Sequence, residues 1–158
     1  MTALYEALHE HHQRLQGLFD TLENRMHAGD FQAADEAWTE LDKGLLTHLE
    51  AEEETMLPVF DRVDPAEAAA IRAEHAKMRA LFAELGVGME LHILREDQLR
   101  ETLGFIRDHA VREEALLYRW ADRELPETSA TTVIERLRAM GSAVKKAAKH
   151  MFDTPPVV

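Results

Sequence analysis

The chain has no cysteine and comparatively few basic residues. Without thiols it can form no disulfide, no thiolate zinc site and no iron–sulfur cluster held by its own ligands. Lysine and arginine number 18 against 30 acidic residues, and the formal net charge of −12 argues against nucleic acid and anionic membranes as partners. No stretch is apolar enough to span a membrane, and no signal segment precedes the first predicted helix. We therefore expect a cytoplasmic protein without membrane contact.

Glycine and proline are also sparse, and most of the chain shows helical periodicity. Apolar residues recur in steps of three and four through four segments, which is typical of helices that bury one face in a bundle. The first helix is expected to start after Thr2, and the third after Asp64, which caps a helix whose first residue is Pro65. The second and fourth helices are expected to end near Phe60 and Arg123. The inward series of the fourth helix is Leu99, Thr102, Ile106, His109, Glu113, Leu116 and Trp120.

These segments predict an all-α fold, an antiparallel up-down four-helix bundle with an additional C-terminal helix. We assign residues 1–125 to the bundle, 126–152 to a helix packed on or beside it, and 153–158 to a flexible tail. The last helix is predicted from Ala130 to about Met151. Its apolar stripe, which either caps the bundle or binds a protein partner, consists of Val133, Leu137, Met140 and Val144.

Six polar residues occupy inward positions at which hydrocarbon side chains are expected: His12, His48, Glu52, His75, His109 and Glu113. In two helices the histidine is followed four residues later by the glutamate, so that imidazole and carboxylate share one face. A buried carboxylate without a partner costs on the order of several kcal/mol, so it needs a cation or a proton. Counting from the helix ends places all six residues at one level of the bundle.

The two halves of the chain repeat this arrangement. His12 and His48 are 36 residues apart, and His75 and His109 are 34 residues apart. Each half supplies one lone histidine and one His-x-x-x-Glu pair. The sequence therefore predicts a site for two metal ions in which these four histidines and the two glutamates are the ligands.

Other histidines compete for a place in this site. His11 also lies near the inward face of the first helix, but the alignment of the two halves selects His12. His9 is interpreted as partly exposed, with a position over the site as the alternative. His92 is assigned to the core or to a loop.

Several other residues near the site have two interpretations. Tyr118 and Tyr5 are interpreted as packing residues with their hydroxyls at the surface, and the alternative places them in the metal pocket. Arg79 either neutralises a site carboxylate or extends outward. The acidic run beside Glu52 is assigned to the solvated face of its helix; it consists of Glu50, Glu53 and Glu54.

The chain resembles the hemerythrin-like proteins of the HHE cation-binding family. The resemblance covers residues 3 to 123. It rests on Glu10-His11-His12 with Leu15 and Leu18, on His48 to Pro58, on Glu74-His75 with Met78, and on His109 to Glu114. It implies two iron ions in a four-helix bundle, bridged by the carboxylates of Glu52 and Glu113 and by an oxo or hydroxo group, with the four histidines as terminal ligands. Manganese or zinc is less expected, although the same ligand types suit both.

Two differences from the oxygen-carrying members of that family bear on function. Those proteins have a second histidine one turn after the third-helix histidine, where this chain has Arg79. They also have an aspartate five residues after the last histidine, where this chain has Glu113 at four and Glu114 at five. The ligand set is more similar to the iron-sensing and nitrosative-stress branches of the family.

The resemblance therefore implies a protein that binds dioxygen, nitric oxide or peroxide in sensing, redox chemistry or stress defence. One alternative is an enzyme that consumes peroxide or nitric oxide. Another is an iron-buffering or iron-responsive interaction module, with the C-terminal helix as its partner surface.

Overall fold

The computed structural model describes the backbone of residues 2–152 and the side chains of residues 2–140. Four helical segments form a bundle, and a fifth packs against it. The elements are α1 (Ala3–His27), α2 (Phe31–Ala51), a π-helical turn (Glu52–Met56), α3 (Leu57–Phe60), α4 (Pro65–Glu90), α5 (Glu96–Ala115), α6 (Leu117–Glu124) and α7 (Glu127–Phe152). The predicted all-α bundle with an additional C-terminal helix is confirmed.

Local sequence signals explain several of the helix ends. The carboxylates of Asp30 and Asp64 cap α2 and α4 by accepting hydrogen bonds from the backbone N–H groups of Ala33 (3.2 Å) and Glu67 (3.0 Å). Gly29, just after α1, has a φ of 71°, a left-handed conformation in which a Cβ atom would be strained. These residues set the short connections that keep consecutive helices antiparallel.

The structure agrees with the predicted boundaries at most positions. α1 begins directly after Thr2, the second bundle helix ends at Phe60, and the fourth ends at Glu124. The C-terminal helix begins at Glu127, three residues before the predicted start. The reason is that the carbonyl of Pro126 already accepts a helical hydrogen bond from the backbone N–H of Ala130.

Two bundle helices are interrupted directly after their inward glutamates. After Glu52 the chain makes one π-helical turn, in which the backbone N–H of Leu57 bonds to the carbonyl of Glu52. Pro58, which has no N–H to donate, follows this turn. In the fourth bundle helix the interruption is at Leu116, with φ −118° and ψ −71°, between α5 and α6. In both helices the interruption shifts the fifth residue after the glutamate, Leu57 or Tyr118, into a fully buried position.

This shift makes one predicted core position wrong. Leu116 belongs to the predicted inward series, but its side chain is 47% exposed, whereas Leu117 is fully buried. A regular helix would have continued the spacing of three and four residues through Leu116. After the interruption Leu117, and not Leu116, faces the core.

The hydrophobic core is divided into two clusters by a layer of polar side chains. Along α1, Leu4 and Leu8 belong to one cluster and Leu15 and Phe19 to the other, with His12 between them. The same order is found along α4 and along α5 with α6. Hydrocarbon on both sides therefore excludes water from the polar layer.

The C-terminal helix lies against the side of this bundle that α1 and α2 form. α7 packs against α1, α2 and the π-helical turn. The side chains of Val133 and Leu137, both on α7, are buried in the core. Arg136 donates to the carboxylate of Glu54 at 2.6 Å. The described part of the apolar stripe therefore faces the bundle. A protein partner on this helix and the division after residue 125 stay predictions, while Val144 and residues 153–158 lie outside the described side chains.

Within the described part of the chain, no helix combines the length and hydropathy that crossing a membrane requires.

Candidate metal centre

The structure brings all six inward histidines and glutamates together in the polar layer. They form two overlapping groups of four, and within each group one nitrogen or oxygen atom of every residue lies within 4.8 Å of the others. The first group is His12, His48, Glu52 and Glu113, and the second is Glu52, His75, His109 and Glu113. The groups share both glutamates, which are completely buried.

Glu52 turns one carboxylate oxygen toward each group. Its Oε1 lies 3.1 Å from Nε2 of His48 in the first group, and its Oε2 lies 3.3 Å from Nε2 of His75 in the second. One carboxylate is thus placed between two sets of nitrogen donors.

Glu113 has the same relation to the two groups. Its Oε2 lies 3.6 Å from Nε2 of His12, and its Oε1 lies 2.7 Å from Nε2 of His109. Two carboxylates with one oxygen toward each group can bridge two cations, with two histidines completing each set.

Each of these four histidines directs Nε2 inward and contacts an outer group through Nδ1. The pairs are His12 with Glu114 (3.2 Å), His48 with His11 (3.0 Å), His75 with Glu53 (3.0 Å) and His109 with Glu74 (2.6 Å). A partner on Nδ1 fixes the tautomer and the ring orientation, and a carboxylate partner also increases the basicity of Nε2. Periodicity did not single out these outer groups, although all four are direct chain neighbours of ligand candidates.

Arginines hold two of the outer carboxylates. Arg79 donates to both oxygens of Glu53 at 2.7 and 2.8 Å. Arg112 donates to Glu74 at 2.6 Å and to both oxygens of Glu67. The assignment of Glu53 to the solvated face is therefore wrong, and Arg79 neutralises a carboxylate one layer outside the six residues.

Ion pairing controls the charges in the cluster. Burial lowers the pKa of His12, but contacts with Glu113 and Glu114 outweigh it and raise the pKa to about 9. Burial likewise lowers the pKa of His75, but contacts with Glu113 and Glu52 raise it to about 10. Burial alone would raise the pKa values of both shared glutamates, and the surrounding histidines lower them. In the metal-free cluster, protons on the histidines thus balance the charges of the carboxylates. Metal cations can replace those protons.

Tyr118 is fully buried, and its hydroxyl lies in the first group. It donates to Oε1 of Glu52 at 2.5 Å and lies 2.9 Å from Nε2 of His12 and 3.0 Å from Nε2 of His48. The expectation of a surface hydroxyl is therefore wrong. Burial, and then the charges of Glu52 and Glu113, raise the pKa of Tyr118 well above its usual value, so the hydroxyl acts as a donor.

The interruption at Leu116 explains how Tyr118 reaches this position. In a regular helix the fifth residue after Glu113 would point about 140° away from it, at 3.6 residues per turn. The interruption at Leu116 leaves Tyr118 on the inward face, with its hydroxyl 3.4 Å from Oε2 of Glu113. No period of three and four residues reveals such a position.

The other histidines considered from the sequence lie outside both groups. His11 is buried and stacks on His48 with ring centroids 5.0 Å apart. Burial, and then the neighbouring His48, lower the pKa of His11 to about 2, which keeps it neutral. His9 is partly exposed and contacts Glu114 at 3.1 Å. His92 is exposed in the loop after α4, with a φ of 54°.

A small cavity of about 50 Å³ adjoins the cluster. Its polar lining consists of His12, Gln16, His48, Arg107, His109 and Glu113. The apolar lining comes from Leu15, Phe19, Leu45, Leu49, Met78, Leu103 and Ile106. Such a space admits a molecule of only a few atoms.

Two buried atoms of the second group have no hydrogen-bond partner: Oε2 of Glu52 and Nε2 of His109. The latter is close to Glu113 but is not aligned for a hydrogen bond. Unpaired polar atoms are rare in protein cores, because each loses its bonds to water without replacement. A cation in the second group would bind both atoms, so the residues present fit a bound metal.

Comparison with known proteins agrees with this chemistry. Residues 3–121 match the family described as the hemerythrin HHE cation binding domain. No curated protein and no solved structure gives a significant match.

Proposed function

The chain belongs to the family of hemerythrin HHE cation-binding domains, and from this premise we propose that it is a non-haem di-iron protein that binds dioxygen, nitric oxide or peroxide. The observation that carries the proposal is the pair of overlapping four-residue groups with two shared glutamates. A site for one ion would need only one of these groups. The presence of two such groups favours two ions that are bridged by the carboxylates of the two shared glutamates.

We assign one ion to His12 and His48 and the other to His75 and His109, with the two shared glutamates as bridges. Histidine and carboxylate donors suit iron, and they also suit manganese and zinc. We favour iron because the site combines imidazole and carboxylate ligands without thiolate in a bundle of this family. Two iron ions bound there would supply redox chemistry and coordination positions for a small molecule.

The chain's own part is to orient the donors and to exclude water. The outer carboxylates hold three of the histidine rings through Nδ1, and arginines hold two of those carboxylates in turn. Apolar clusters on both sides of the layer keep the site dry. The cavity of about 50 Å³ next to the cluster has the size and the apolar lining that a small neutral molecule requires.

The first test is the metal content of protein produced with ample iron, measured by plasma mass spectrometry. We expect about two irons per chain, as the two groups require, and spectral changes when nitric oxide or peroxide is added to the iron-loaded protein. His109→Ala should lose metal, whereas His27→Ala should not, because His27 is exposed and lies outside both groups. A single zinc ion that His109→Ala leaves in place would overturn the proposal.

Turnover distinguishes the binder from the enzyme that consumes peroxide or nitric oxide. Peroxide loss at many equivalents per chain would favour the enzyme, and stoichiometric binding would favour the binder. Cytoplasmic location and an iron-responsive partner surface stay predictions from the sequence.

A further inference from the structure

Tyr118 is one of only two tyrosines in the chain, and its side chain has no access to solvent. Its hydroxyl oxygen has four neighbours among the candidate ligand atoms. They are Oε1 of Glu52 at 2.5 Å, Nε2 of His12 at 2.9 Å, Nε2 of His48 at 3.0 Å and Oε2 of Glu113 at 3.4 Å. These are the four residues of the first group, so the phenol oxygen lies among its donor atoms.

The distances are those expected between neighbouring ligands of one metal ion. Two donors that each bind a metal at about 2.1 Å, at right angles to one another, are about 3 Å apart. The phenol oxygen is close to that distance from both histidine nitrogens of the first group, which are themselves 3.0 Å apart. A hydrogen bond to Glu52 alone would not require the hydroxyl oxygen to lie about 3 Å from both histidine nitrogens.

The repeat of the two halves shows that packing alone does not demand a tyrosine. Tyr118 follows Glu113 by five residues, and the residue five positions after Glu52 is Leu57, which is also fully buried. A hydrocarbon side chain thus fills the matching position in the first half. The hydroxyl adds an oxygen donor to one group only.

The second group lacks a hydroxyl of this kind among the described side chains, and its polar atoms are correspondingly less well paired. Of the three buried side-chain atoms in residues 2–140 without a hydrogen-bond partner, Oε2 of Glu52 and Nε2 of His109 face the second group, and Nε2 of His11 belongs to neither group. In the first group the hydroxyl of Tyr118 contacts the corresponding atoms, Oε1 of Glu52 and Nε2 of His48. The two groups are therefore chemically unequal despite the pseudo-twofold sequence.

We propose that Tyr118 is a fifth protein ligand of the metal ion assigned to His12 and His48, bound through its phenolate oxygen. This proposal rests on the proposed function, since it concerns the same pair of ions. On ligation the O–H bond breaks, the oxygen keeps the electron pair and binds the metal, and the proton is released to the buffer.

Five protein donors on one ion and four on the other make the two positions unequal in function. The ion assigned to His75 and His109 keeps more coordination positions free of protein. We therefore expect a small molecule to bind on that side. The cavity adjoins both groups, because His12 and His48 line it together with His109 and Glu113.

The test uses the iron(III)-loaded full chain with Tyr5→Phe, which leaves Tyr118 as the only tyrosine. Tyr5 stacks on His9, outside both groups, so this substitution should leave the iron content unchanged. The protein is produced with ring-deuterated tyrosine and without it. Visible absorption and resonance Raman spectra are then recorded and compared with those of Tyr118→Phe.

We expect a visible phenolate-to-iron charge-transfer band in wild-type protein and in Tyr5→Phe, with Raman lines that shift on deuteration. The band should be absent from Tyr118→Phe, which keeps the six histidine and glutamate ligands. If Tyr118→Phe does not fold, the isotope shift in Tyr5→Phe decides the question by itself.

Two results would overturn the proposal, and they are distinguishable. Two irons per chain without a deuterium-sensitive visible band would make Tyr118 a hydrogen-bond donor to Glu52 and leave the proposed function intact. A chain that binds no iron would overturn the proposed function, and this proposal with it.

Discussion

Nδ1 of His109 lies 2.6 Å from Oε2 of Glu74, whose other oxygen accepts a hydrogen bond from Arg112 at 2.6 Å. An inward histidine is thus oriented by a carboxylate that is itself held in place. Because the ring must present Nε2 to the second group, the position of Glu74 bears directly on metal affinity.

We predict that Glu74→Gln weakens the binding of one metal ion about 10- to 100-fold and leaves the fold intact, since the amide keeps the shape but loses the charge. Metal affinity is measured by competition with a coloured chelator. Glu67→Gln is the matched control, because Glu67 contacts Arg112 but no histidine of either group. Equal affinities of the two variants would show that the Glu74 contact does not support metal binding.

The pH dependence of stability should differ between metal-free and metal-loaded protein. The pKa of His12 is raised to about 9 and that of His75 to about 10, above their ordinary value of 6.5. A raised pKa contributes stability that is fully present below the unfolded-state pKa and is lost as the pH rises through the folded-state value. Metal-free protein should therefore lose stability between pH 6.5 and about 10.

Urea unfolding at a series of pH values checks this prediction through the midpoint concentration. In the metal-loaded protein the two Nε2 atoms bind metal instead of protons, so the same alkaline loss should be absent. If the urea midpoint of the metal-free protein stayed constant over this pH range, protonated histidines would not be what stabilises the cluster.

Filling the cavity should block small-molecule binding without removing the metals. Ile106 lines the cavity and is only partly buried, so Ile106→Phe should extend a ring into the space with little strain. We expect unchanged metal content and a loss of nitric oxide affinity of roughly tenfold or more, as steric exclusion costs at least about 1.4 kcal/mol. Nitric oxide titration of the iron-loaded protein gives the affinity.

Ile134→Phe serves as the control for this variant. Ile134 is likewise partly buried, but it packs against the other apolar cluster, away from the cavity. An equal loss of affinity in both variants would argue that the cavity is not the binding space.

The register change at Leu116 is tested by two neighbouring substitutions. Leu117→Ala removes a fully buried side chain and should reduce the free energy of unfolding by about 2–5 kcal/mol. Leu116→Ala changes a side chain that is 47% exposed and should alter it by no more than about 0.5 kcal/mol. Both are measured by urea unfolding of the metal-loaded protein. The reverse order of the two effects would mean that the helix continues in its regular register.

The sequence by itself determined the helices and the placement of the six inward polar residues. Spacing of three and four residues is a local property of a helix, and so are the caps at Asp30 and Asp64. Each His-x-x-x-Glu pair lies within one helix, so its shared face follows from the helical rise and rotation alone. The repeat of the two halves then indicated one common layer.

Only the tertiary structure decided the surroundings of that layer. Glu53, Glu74 and Glu114 reach histidines on other helices, and contacts between helices depend on their relative rotation, which sequence periodicity does not specify. Tyr118 enters the site because the helix leaves its regular register after Glu113. Pro58 gave a local hint of the matching irregularity after Glu52, but no proline marks the one at Leu116. A break in a helix rotates the residues beyond it, so the packed bundle, and not the repeat of three and four residues, placed Tyr118 in the site.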